Sequence, residues 1–180
     1  MTEMPLIIFT LCEDLAVGAM IALVVLELMG KKKFDQTNFK ISGTALIVAV
    51  VGMIASLFHL GQPLRAVNVL FGLGSSWLSR EIVFFGLFVV LVLVYVLLAK
   101  KGTNEGAIKG VGIAAAAVGL IALICTILCY MLPGVVSWNN ALTPIMFIVA
   151  AAAMGISFVF ALTKAAEKAN DAKMWRNIFI

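Results

Sequence analysis

The residues best suited to chemistry lie between His59 and Glu81, in the stretch HLGQPLRAVNVLFGLGSSWLSRE. It separates two long apolar runs and holds the only histidine. An imidazole exchanges protons near neutral pH. Gly61 removes a side chain where a flat ligand or a second backbone can approach, and Pro63 opposes a straight helix. Arg65 offers fixed charge and several donors. Trp77 and Arg80 sit where the sequence turns apolar again, and Glu81 is expected to open the next helix, where the helix dipole favours a carboxylate. Such a set suits two-electron, two-proton quinol chemistry. His59 would take a proton, Glu81 would pass it on, and Arg65 would hold Glu81 ionised or stabilise developing charge. The same residue types also fit a structured loop with Arg65–Glu81 or Arg80–Glu81 ion pairs and an interfacial histidine.

A second group of ionisable residues lies inside the first apolar run. Glu13 and Asp14 can form a proton path, contact a quinone, or pair with another helix; a charged group inside a membrane is costly to desolvate, so each use must offset that cost. Glu27, near the far end of that run, is placed to reach lysines of the following connection. Cys125 and Cys129 are four apart on one helix face and read as small packing residues rather than a soft-metal site. Three cysteines and one histidine supply neither an iron–sulfur or zinc framework nor two histidines for a b-type haem.

The elements that must hold these residues follow from composition. The protein is 63% hydrophobic and 12% charged, far from the balance of a soluble domain. Five apolar runs, near 5–29, 41–58, 81–99, 108–131 and 142–163, approach or exceed the roughly 20 residues that cross a bilayer. Backbone groups in lipid must pair within a segment, so an all-α, polytopic bundle of about five transmembrane helices is expected over 1–163 as a single domain, followed by a basic tail, 164–180. No basic, aromatic-interleaved patch suggests nucleic acid, and the first run is too long and too acidic for a signal peptide. Ala114–Ala117, Gly119, Ala150–Ala153 and Gly155 would let helix backbones approach closely.

Eleven of the thirteen basic residues flank the first and third connections or lie in the tail; only Arg65 and Arg80 fall on the opposite side. The positive-inside rule makes the lysine side cytoplasmic. The amino terminus and His59–Glu81 are then outside, and the carboxyl terminus is cytoplasmic.

The order of residues adds a resemblance. His59-Leu60-Gly61-Gln62-Pro63-Leu64-Arg65-Ala66, followed by Ser76-Trp77-Leu78-Ser79-Arg80-Glu81, resembles the membrane-anchor subunit of the dimethyl sulfoxide reductase family, the DmsC type. Glu3-Met4-Pro5-Leu6-Ile7-Ile8-Phe9-Thr10 is similar to that family's start, and Met131-Leu132-Pro133, Trp138-Asn139 and Thr143-Pro144 resemble its later outer connection. The resemblance implies an anchor, in a bacterial or archaeal cytoplasmic membrane, for an iron–sulfur electron-transfer subunit and a molybdopterin catalytic subunit on the outer face. It implies oxidation of menaquinol for anaerobic respiration, with no haem and no iron–sulfur cluster in the anchor itself. The family's quinol residues carry over to His59, Gly61, Arg65 and Glu81, with Trp77 and Arg80 beside them. It lends no role to Glu13 or Asp14. Family anchors usually have eight spans against five here. A missing carboxyl-terminal part, a shortened homologue and a further membrane polypeptide that completes the bundle are the alternatives. Two other functions fit the composition: a scaffold that never touches quinone, and a small proton-coupled transporter using Glu13 and Asp14.

The lysine pattern predicts that a reporter fused in the first or third connection reads cytoplasmic and one near Leu73 reads external. The reverse result would overturn the orientation.

Overall fold

A computed structural model of the protein describes residues 4–30, 36–58, 71–102, 104–131, 133–135 and 137–178. Among the described residues there are five helices and no strand: α1 (Met4–Leu28), α2 (Gln36–Leu57), α3 (Trp77–Lys101), α4 (Glu105–Tyr130) and α5 (Leu142–Ile178). Each contains a stretch long and apolar enough to cross a bilayer, so the chain is a multi-pass membrane protein. The boundaries differ from the expected ones at polar ends that a hydropathy reading excludes. α2 begins at Gln36, α3 begins at Trp77, and α5 runs on through Lys164 to Ile178.

The ends of α3 and α4 follow their capping residues. Ser76 is extended (φ −118°, ψ 124°), and its hydroxyl accepts from the Ser79 amide at the start of α3. Gly102 closes the other end with φ +62°, the left-handed conformation in which glycine carries no Cβ penalty. Lys100 and Lys101 in the last turn oppose the dipole. Asn104 then caps α4 by accepting from the Gly106 amide at 2.9 Å.

α1 is the hub, packing against α2, α4 and α5, while α3 packs against α4 and α2. Ala16 to Met20 are five consecutive buried residues. They span more than a full helical turn, so α1 is enclosed on every side at that level. Its contact with α5 is made backbone to backbone. A Cβ on Gly18 would collide with the Ala151 carbonyl, and one on Gly155 with the backbone of Gly18. Against α4 the fit is side chain into glycine. Gly119 leaves room for Phe88 and Val17, and Gly112 for Tyr95 and Val24. Phe85 meets Phe9 edge-on at 5.5 Å and Phe88 nearly parallel at 5.7 Å, tying α3 to α1.

One polar knot joins three helices. Glu27 does not stay at a loop surface for the lysines; it is 4% exposed. Its Oε1 accepts from Asn38 Nδ2 of α2 at 2.8 Å and from the Tyr95 hydroxyl of α3 at 2.5 Å. Buried away from water, such a carboxylate needs those donors. The outer surface of the bundle is apolar, as lipid requires. α5 is its most open helix, with Ile148, Ile156 and Phe160 exposed. A groove of about 500 Å³ runs between α1 and α5, lined by Ile21, Val25, Leu26, Ile156 and Phe160 among others.

Gly155→Ala is expected to force α1 and α5 apart and to destabilise the bundle by about 1–3 kcal/mol, the usual cost of overpacking. A lowered midpoint of denaturant unfolding in detergent measures it; an unchanged midpoint would show that the close contact is dispensable.

Candidate functional site

The face of the bundle that gathers the start of α1, the end of α2, the start of α3 and the end of α4 holds a polar cluster. The turn before α3 lies on the same face. The Gly72 carbonyl accepts from the amides of Ser75 at 3.1 Å and Ser76 at 2.9 Å. A Cβ on Gly72 would strike the Ser79 hydroxyl, so this turn lies directly on the first turn of α3. Arg80 fastens it. Its Nε donates to the Leu73 carbonyl at 2.9 Å and its Nη2 to the Gly74 carbonyl at 3.0 Å. The guanidinium also lies 4.2 Å from the centre of the Trp77 ring. These bonds replace the Arg80–Glu81 ion pair considered from sequence. Among the described residues the salt bridge is Lys164–Glu167, on the exposed part of α5.

Glu81 is not the first residue of its helix. Because α3 starts at Trp77, Glu81 lies one turn inside and is 3% exposed. It points toward α4, beside the Cys129 thiol and the Thr126 hydroxyl. From α1, Glu13 reaches the same hydroxyl: Thr126 Oγ1 donates to Glu13 Oε2 at 2.8 Å. Thr126 Oγ1 also lies 3.2 Å from the Ala122 carbonyl, but a hydroxyl has one hydrogen, and a carboxylate is the stronger acceptor. Glu13 is completely buried, and its Oε1 has no hydrogen-bond partner among the described residues; the same holds for Oδ1 of Asp14, which is 4% exposed. Tyr130, at the end of α4, adjoins the Thr10 hydroxyl of α1. The phenol ring packs on Trp138 at 5.5 Å and Phe147 at 5.1 Å, which covers the cluster from the side of the fourth connection.

The structure therefore brings Glu13 and Glu81 together and sets Trp77 and Arg80 in the first turn of the helix that carries Glu81. His59, Gly61 and Arg65 lie outside the described residues. The parts played by Thr126, Cys129 and Tyr130 were missed from sequence. Their signal was spacing: positions i, i+3 and i+4 place all three on one face of an apolar helix. Chemically the cluster holds two carboxyl groups, a hydroxyl bonded to one of them and a thiol. That set can receive, hold and pass a proton. It offers no group of three His, Cys, Asp or Glu side chains that could bind a metal ion among the described residues.

This bundle, with buried acids gathered toward one end, defines a polytopic helical membrane protein. Over residues 1–179 the sequence matches the family described as DMSO reductase anchor subunit (DmsC). It is 33% identical over 162 residues to the C chain of the anaerobic dimethyl sulfoxide reductase of Haemophilus influenzae, with 89% of this protein and 58% of the relative covered. It is 30% identical over 168 residues to the YnfH chain of an anaerobic dimethyl sulfoxide reductase of Escherichia coli, with 92% and 59% covered. A shorter similarity, 35% over 83 residues, reaches the C subunit of the sulfite dehydrogenase of Allochromatium vinosum, with 43% and 26% covered. No solved structure matches the sequence. The protein belongs to the DMSO reductase anchor subunit (DmsC) family. It spans a little under three fifths of the length of the first two of these relatives.

The purified protein is expected to show no haem absorption band and no stoichiometric iron. Optical spectroscopy and metal analysis check this, and a bound haem would remove the reading of the cluster as a purely protonic site.

Proposed function

We infer that this protein is a membrane-anchor subunit of a molybdopterin and iron–sulfur reductase, and that it oxidises menaquinol at the face carrying Glu81. Family membership supports the anchor role. The observation that carries the quinol reading is Glu81 itself. A carboxyl group of the family's motif lies buried one turn inside the bundle, with a hydroxyl and a thiol as neighbours and no described cation paired to it. A quinol loses two electrons and two protons. The protons need acceptors that can be reached from an apolar slot, while the electrons leave toward an iron–sulfur partner and then the molybdopterin subunit. Here Glu81 receives a proton, His59 in the preceding motif takes or gives one near neutral pH, and Arg65 supplies fixed charge. Arg80 acts one step back, holding the turn that sets the position of Trp77 and of the first turn of α3. The ring of Trp77, 42% exposed, offers a flat wall for a head group.

The distribution of lysines supports an external position for this face and a cytoplasmic carboxyl terminus, and the bacterial relatives support a bacterial cytoplasmic membrane. The partner subunits then dock from outside, against the connections between α2 and α3 and between α4 and α5.

His59→Ala is expected to abolish turnover driven by a quinol analogue while leaving assembly intact, and Glu81→Gln to follow it in severity. Loss of one proton-transfer group costs about 100- to 10,000-fold in rate. A soluble viologen given to the same membranes feeds the partner subunits directly and should bypass the defect. Equal failure with both donors would make the stretch structural and the subunit a scaffold.

A further inference from the structure

We propose that Glu13, Thr126 and Glu81 form one acid pair that shares a single proton across a hydroxyl, making Glu13 a second proton acceptor behind Glu81. This rests on the quinol reading given above and extends it into the bundle. Three observations carry it. The two carboxyl groups come from different helices, α1 and α3, yet Thr126 of α4 donates to Glu13 at 2.8 Å and Glu81 lies beside both of them. Glu13 is completely buried, and its Oε1 lies in the cluster without a hydrogen-bond partner among the described residues. No described cation neutralises either group, since Arg80 directs its donors to the Leu73 and Gly74 carbonyls.

Physics favours a shared proton over the alternatives. Two ionised carboxylates side by side in a medium of low dielectric repel strongly and lose their hydration. Two separate neutral acids would leave donors and acceptors unmatched in a place where each unmatched group is costly. One proton between them, bridged by a group that both donates and accepts, satisfies the most atoms. Thr126 is such a group. In the relay step the O–H bond of Glu81 breaks as its proton joins the Thr126 oxygen, and the threonine's own proton passes to Glu13 Oε2. Thr126 ends as it began, Glu81 is again able to accept, and the proton has moved from α3 to α1. Asp14 is next to Glu13 in sequence, but among the described residues no hydrogen bond joins it to this hydroxyl, so the relay does not run through it. This divides the two acidic residues, which sequence alone treats as one group.

The test has two arms. The first is infrared spectroscopy of the protein in detergent, in H₂O and D₂O, and needs no quinol. A shared proton predicts a protonated-carboxyl absorption that shifts in Thr126→Val and returns in Thr126→Ser. It also predicts that the effects of Glu13→Gln and Glu81→Gln are not additive, because the titration belongs to the pair. Additive effects, or no response to Thr126→Val, overturn the pair. The second arm is turnover of the assembled complex. Glu13→Gln keeps the size of the side chain and an acceptor for Thr126 but cannot take a proton. It is expected to lower quinol-driven turnover about 100-fold or more, and Thr126→Ser to recover what Thr126→Val loses. Near wild-type quinol-driven turnover in Glu13→Gln overturns its role as an acceptor. The arms separate this proposal from the one it rests on. Coupled infrared signals with a fully active Glu81→Gln complex support the pair and remove the quinol site. Independent signals with a defective His59→Ala complex do the reverse.

Discussion

A carboxyl group inside a bilayer has no water to turn to, and this protein places three of them on one helix. Glu13, Asp14 and Glu27 are all buried on α1. The bundle is arranged to meet that constraint. α4 brings Thr126 to Glu13, and α2 and α3 bring Asn38 and Tyr95 to Glu27. Each of these two bonded acids therefore fixes neighbouring helices in rotation and depth as well as in distance. Apolar contacts alone would specify this poorly, because lipid tails are as apolar as leucine and reward no particular helix neighbour.

The remaining neighbour of α1 is held differently. α5 approaches through Gly18, Ala151 and Gly155 until backbones touch. The result is an asymmetric hub, with polar bonds toward α2, α3 and α4 and bare backbone toward α5. The contact with α5 sits about one turn below Asp14, so the acidic end of α1 and its tightest packing are adjacent. The cluster at Glu13 is thereby kept at one level of the bundle while the helix around it is clamped.

The five spans were legible because length and apolarity are sufficient to mark them in lipid. Their ends were less so. α3 begins with Trp77, Ser79 and Arg80, which a hydropathy window rejects but which Ser76 caps into the helix, and that moved Glu81 from the first position to the second turn. The partners of the buried acids were not legible. Tyr95 and Thr126 lie in runs of apolar residues, 68 and 113 positions from their partners, and nothing local to either announces the pairing. Arg80 misled for a related reason. Adjacent opposite charges suggest an ion pair, yet neighbours on a helix point in different directions, and carbonyls of the preceding turn were within its reach. The small residues of α5 were recognised as a packing surface, but Gly18, their counterpart on α1, stood out only once the two helices were placed together.

The same long separations have a consequence for how the protein is made. α1 leaves the ribosome well before α4, and the donor that Glu13 requires is 113 residues behind it. At about 5 to 20 residues per second of synthesis, Thr126 follows roughly 6 to 23 s later. For that interval Glu13 has no hydroxyl from α4 to bond, and each acidic residue near a helix centre opposes insertion by about 2.5–3.5 kcal/mol. The apolar residues of α1 offset that cost, so α1 can enter the bilayer first. The bond between Glu13 and Thr126 then forms as the helices assemble, not as α1 inserts.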